Sequence, residues 1–67
     1  MTHLRLTDIY CYYSKTFSLV YDGSTLEAYR ERDKVLIASI PIRDTSILYE
    51  IFHNLKNKLI LDYDNML

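Results

Sequence analysis

The side chains able to do nucleophilic or metal chemistry are few: one cysteine, Cys11, and two histidines, His3 and His53. A thiol becomes a useful nucleophile when a neighbouring base or cation favours the thiolate. His3 precedes Cys11 by eight positions. On one extended strand that is about 26 Å at roughly 3.3 Å per residue, too far for a local dyad. His53 falls on the polar side of a predicted helix. No C-x-x-C or H-x-x-x-H spacing occurs, so zinc has no ligand framework. Cys11 therefore reads as structural. The carboxylate pairs Asp62/Asp64 and Glu31/Asp33, with Glu27 near the second, supply fewer oxygens than a hard cation takes. Gly23 is the only glycine, which leaves no glycine-rich cradle for phosphate. These residues predict no catalytic site, no metal and no cofactor.

Tyrosine is where the composition departs from the ordinary. Tyr10, Tyr12, Tyr13, Tyr21, Tyr29, Tyr49 and Tyr63 make seven, with no tryptophan. Each joins a large apolar ring to a hydroxyl that needs water or a hydrogen-bond partner. Tyrosine also gives broad contact area at low entropic cost, which suits interfaces. The cluster Tyr10, Tyr12 and Tyr13 fits either an interface or a core edge with its hydroxyls in water.

Size sets the frame for these side chains. Sixty-seven residues make one domain, 1–67. A chain of this length buries only about 60% of the surface its unfolded form exposes. Small scaffolds usually need a disulfide, a metal or a partner subunit. One cysteine and no metal framework leave association. The hydrophobic fraction of 49% points the same way, because apolar surplus beyond a small core surfaces as a patch. The net charge of −1 gives no basic excess for neutralising phosphates. No apolar run is long enough to span a membrane. The lone cysteine and the absence of a signal-like start predict a cytoplasmic location.

Three elements must position the candidate residues. Asp22-Gly23, between two alternating segments, predicts a hairpin with a two-residue turn that pairs Leu19 with Leu26 and Phe17 with Ala28. A four-residue loop keeps the same side-chain parity and is the second choice. Four charged residues, 31–34, predict a solvated turn, followed by a third strand over residues 35–40 that is apolar on both faces and ends at Pro41. Asp44, with Thr45 or Ser46 as alternatives, then caps a helix near residues 45–57, whose Ile47, Leu48, Ile51, Phe52 and Leu55 recur at helical spacing. The ends are more ambiguous. Residues 4–13 read as a strand, with Thr7-Asp8 as the cap of a short helix the alternative. Residues 59–63 read as a last strand, although Leu48, Phe52, Leu55, Leu59, Tyr63 and Met66 also form an unbroken helical stripe.

The fold expected is α+β: a small three- or four-stranded, mostly antiparallel meander packed on one amphipathic helix. One helix covers one sheet face, here Phe17, Leu19, Leu26, Ala28 and Ile37. The other face is left with Val20, Tyr29, Leu36, Ala38 and Ile40. The expected interface residues are Tyr10, Tyr12, Tyr13, Tyr29, Leu36 and Ile40. The expected function is a non-enzymatic interaction module: an inhibitor, adaptor or antitoxin-like accessory factor that binds another protein and forms a homodimer. Phages and mobile elements carry many such small proteins, an expectation drawn from size alone. The alternative is a nucleic-acid-binding regulator using Arg30, Arg32, Lys34 and nearby tyrosines.

Overall fold

The computed structural model describes residues 5–64. A one-turn helix, α1 (Leu6–Ile9), leads into four strands: β1 (Cys11–Tyr13), β2 (Phe17–Tyr21), β3 (Thr25–Arg30) and β4 (Val35–Pro41). A single 3-10 turn, Thr45–Ile47, then opens the long helix α2 (Leu48–Tyr63). The strands form one antiparallel sheet in the order β1-β2-β3-β4. The chain is an α+β meander with four strands.

The core follows from period-two alternation on the strands meeting a helical stripe. The register sets Leu19 opposite Ala28 and Tyr21 opposite Leu26. Phe17, Leu19, Leu26 and Ala28 are fully buried on this face. Helix α2 lays Leu48, Phe52 and Leu59 against them, with Ile51, Leu55, Ile60 and Tyr63 packed around the rim. The Phe17 and Tyr63 rings stand 6.3 Å apart. Asp44 starts the helical segment as expected, its carboxylate accepting from Ser46 N at 3.0 Å.

Several expectations are corrected. The last pair in the β2–β3 ladder is Tyr21 with Leu26, so four residues separate the paired positions, the second of the two expected loop lengths, with Thr25 already paired to Pro41 of β4. Asp22 is the reason. Its Oδ1 accepts from Ser24 N at 2.9 Å and Thr25 N at 2.7 Å, while its own N–H donates to Thr25 O at 3.1 Å. The side chain thus does the work of a backbone turn. Gly23 keeps the expected positive φ, +106°.

Residues 59–63 are helical, not a strand. Continuing the helix keeps Leu59 and Tyr63 in the same stripe as Phe52 and Leu55, where a strand would put alternate residues in water. Residues 5–13 are not one strand either. They form α1 and the three-residue β1, and Thr7 and Asp8 lie inside α1 and do not cap it. Leu4 and Met66 lie outside the described residues.

Strand β4 holds the last correction. A bulge in the β3–β4 ladder sets Ile37 in β4 without a partner of its own. The extra residue reverses the alternation. Beyond it, Ala38 and Ile40 lie opposite Ala28 and Leu26 on the helix side, where the expectation had them on the far face. Before it, Leu36 lies opposite Tyr29 on the far face, as expected.

Two variants check this packing. Phe52→Ala should cost about 3–5 kcal/mol through the cavity it leaves, against roughly 5–15 kcal/mol of total stability for a domain. A thermal melt matching the wild type would contradict the core. Gly23→Val should lower stability by more than about 1 kcal/mol, because a β-branched residue resists positive φ. An unchanged urea midpoint would show that the turn tolerates a side chain there.

Candidate functional site

α2 packs on one side of the sheet, and α1 meets the other face only at its Cys11 end, where the thiol donates to Asp8 O. The strand registers build that face in rows. One row runs across all four strands: Tyr13, Ser18, Tyr29, Leu36. The next is Cys11, Val20, Glu27, Ser39. Residues directly opposite in an antiparallel ladder share a face, so each row is a contiguous strip.

The first row has relief. Tyr13 is 67% exposed and Leu36 48%. Ser18 between the two tyrosines is 8% exposed. A short side chain flanked by two rings makes the low point of the strip. Tyr29 is half-buried. Partial burial and the Glu27 carboxylate two positions away on the same face push its hydroxyl above the ordinary 10.0. At neutral pH the Tyr29 O–H therefore stays protonated and can donate or accept. The face combines aromatic and aliphatic area with hydroxyls, and Glu27 is its one acid in these two rows.

Strand alternation divides the residues expected at an interface. Tyr13, Tyr29 and Leu36 come together in the one row just described. Tyr10, Tyr12 and Ile40 do not join them. Tyr10 packs edge-on against Phe52, with ring centroids 5.3 Å apart. Tyr12 lies opposite Leu19 and stacks on Phe17 at 5.5 Å, with Lys56 Nζ 5.5 Å from its ring centroid. Ile40 lies opposite Leu26. These three belong to the rim of the helix-side core. Val20, expected on this face, completes it with Ser18 and Glu27, which were not among the expected interface residues. Only the pairing of β2 with both neighbours brings them beside the tyrosines.

The groups with catalytic or ligand chemistry do not converge. Cys11 shares the open face with Val20, and its thiol donates to Asp8 O at 3.4 Å. His53 sits on α2 beyond the opposite face, its ring 4.3 Å from that of Tyr49. The sheet separates thiol from imidazole. His3 lies outside the described residues. Helical geometry turns Asp62 and Asp64 away from one another. Asp64 instead accepts from Thr16 Oγ1, and from Ser14 Oγ at 3.4 Å, which ties the end of α2 to the β1–β2 turn. Among the described residues no three His, Cys, Asp or Glu side chains gather as a metal site.

Two of the three cations of the alternative reading, Arg30 and Lys34 but not Arg32, sit in ion pairs. Arg30 grips Asp33 in a bidentate pair, Nε to Oδ1 at 2.9 Å and Nη2 to Oδ2 at 2.6 Å. Lys34 pairs with Glu31. The 31–34 turn closes on itself, with Lys34 at φ +59°. Comparison with protein-family models, curated proteins and solved structures finds no match for this chain.

These turn carboxylates set the response to acid. The Arg30 guanidinium holds the Asp33 carboxyl down to about 2. Backbone N–H groups of Ser24 and Thr25 lower Asp22, and that of Ser46 lowers Asp44. With folded values below the ordinary 3.8, the unfolded chain binds more protons in this range. The stabilisation is therefore fully present above about pH 5 and is lost as pH falls toward 2. All three groups are exposed, so the decline should be shallow. Urea midpoints taken from pH 5 to pH 2 should fall in the wild type and fall less in Asp33→Asn. Identical profiles would contradict the Arg30–Asp33 pair.

Proposed function

We propose that this chain is a non-enzymatic interaction module that lays the open face of its sheet on the surface of another protein, as an inhibitor, adaptor or antitoxin-like accessory factor. The observation that carries the reading is the row Tyr13, Ser18, Tyr29, Leu36, an aromatic and apolar strip across four strands whose two ends are exposed. Exposed Tyr13 and Leu36 provide apolar area, half-buried Tyr29 a rigid ring with a hydroxyl, and Ser18 a notch between the rings. Buried tyrosines at interface centres are frequent energetic hot spots. A β-sheet fixes their spacing, so little order is lost on binding. The pairing of Arg30 with Asp33 and of Lys34 with Glu31 favours a protein surface over phosphate as the target. No helix among the described residues is long and apolar enough to cross a membrane. One half-buried thiol, Cys11, suits a reducing compartment such as the cytoplasm.

Capture from cell extract, comparing the wild type with Tyr29→Asp and Tyr13→Asp, tests this reading. Proteins held by the wild type should be lost from both variants. They should also stay bound at high salt, where phosphate binding weakens steeply. A bound set unchanged by either substitution, or one that elutes with salt as nucleic acid, would overturn it. Circular dichroism on each variant separates loss of binding from loss of fold.

A further inference from the structure

Strand β4 closes the sheet on one side and has no described strand beyond it. Sheet edges are templates for another strand, and proteins usually shorten, charge, bulge or cover them or place proline in them; β4 carries a bulge at Ile37 and ends at Pro41. The opposite edge, β1, is three residues long and follows directly on α1. β4 has seven residues and no charged side chain. Val35 and Leu36 within it are exposed.

The backbone of β4 is oriented for pairing at one residue in particular. Ile42 N donates to Ser24 O at 2.8 Å. Alternation then turns the backbone groups of Ile42, Ile40 and Ala38 toward β3, and those of Ser39 and Pro41 outward. Proline has no N–H to give. Ser39 presents both a donor and an acceptor. Charge lies just outside the strand: Lys34, which also pairs with Glu31, before it, and Arg43 and Asp44 after it.

A strand that docks here antiparallel needs an uncharged middle, an acid against Lys34 and a base against Asp44. A second copy of this chain has that pattern. With Ser39 opposite the partner's Ser39, Ile37 meets the partner's Pro41 and Lys34 stands against the partner's Asp44. A shift of one residue one way sets Lys34 against the partner's Arg43, a like-charge clash. A shift the other way loses the charge match. We propose that β4 is a self-pairing edge, at which two copies join antiparallel about a two-fold axis at Ser39 and two sheets become one. Such an axis is normal to the sheet. Both helices then lie on one side and both Tyr13–Tyr29–Leu36 rows on the other, so pairing leaves the open face free. The inference does not depend on what that face binds.

Sedimentation equilibrium on the full chain at micromolar concentration should give the mass of two chains. Ser39→Pro removes the outward N–H without taking a hydrogen bond from β3, so it should give a folded monomer. A second variant keeps the test decisive if proline disturbs the fold. In a Cys11→Ser background, Ser39→Cys should cross-link two chains under mild oxidation. Hydrogen-bonded antiparallel partners lie about 5.5 Å apart at Cα, within disulfide reach. Asn54→Cys, on the exposed side of α2, should not cross-link. A wild type that is monomeric throughout would overturn the proposal. So would a dimer broken by Tyr13→Asp and not by Ser39→Pro, or one in which Ser39→Cys fails to cross-link.

Discussion

A single helix can bury only one face of a sheet, and the arrangement of this protein depends on that limit. Phe17, Leu19, Leu26 and Ala28 bury completely because Leu48, Phe52 and Leu59 come down on them from α2. Burying a side chain such as Leu19 or Phe52 contributes roughly 1.5–3 kcal/mol relative to exposure, so a few residues supply much of a small domain's stability. The remaining joints serve this contact. Asp44 sets where the helical segment begins, Asp22 sets the register of the hairpin, and Asp64 fastens the far end of α2 to Ser14 and Thr16. Three exposed or half-exposed aspartates thus fix the angle and register of an apolar layer, each by bonding groups that the strands and helix leave unpaired.

The same limit produces the functional surface. A sheet between a helix and water ordinarily turns polar residues to the water. Here the outer face carries Tyr13, Val20, Tyr29 and Leu36 in adjoining rows, with Glu27 and Ser39 beside them. Stability does not require these residues to be apolar, which makes them informative about binding. Ion pairing points the same way. Arg30 and Lys34 pair with Asp33 and Glu31 at the turn between β3 and β4.

What could be read from the sequence divides along physical lines. The hairpin, the charged turn, the Asp44 cap and the core half of α2 each rest on local signals: turn residues, a capping carboxylate, helical spacing. All of these appear in the fold. The length of the β2–β3 loop does not follow from side-chain parity, since a two-residue and a four-residue turn place the same residues inside. Only the bonds from the Asp22 carboxylate to Ser24 and Thr25 choose between them. The Leu59 to Tyr63 stretch satisfies a short strand as well as a helix until Phe17 is known to wait beneath Tyr63. The bulge at Ile37 leaves no mark in a uniformly apolar run, and it decides that Leu36 faces out and Ile40 in. Tyr10, Tyr12 and Tyr13 look alike as neighbours. Pairing with Leu19 turns Tyr12 inward and leaves Tyr13 in water.

The central claim is that one sheet face is sealed by α2 and the other is presented to solvent. Solvent paramagnetic relaxation, read by NMR on assigned side chains with a soluble inert agent, tests it residue by residue. The account predicts strong enhancement at the Leu36 methyls and the Tyr13 ring, with weak enhancement at Leu19, Leu26 and the Phe52 ring. Edge pairing through β4 would leave the Tyr13 signal strong. Protection of Tyr13, Tyr29 and Leu36 equal to that of Leu26 would mean that the face is covered in the free protein, and would contradict the account.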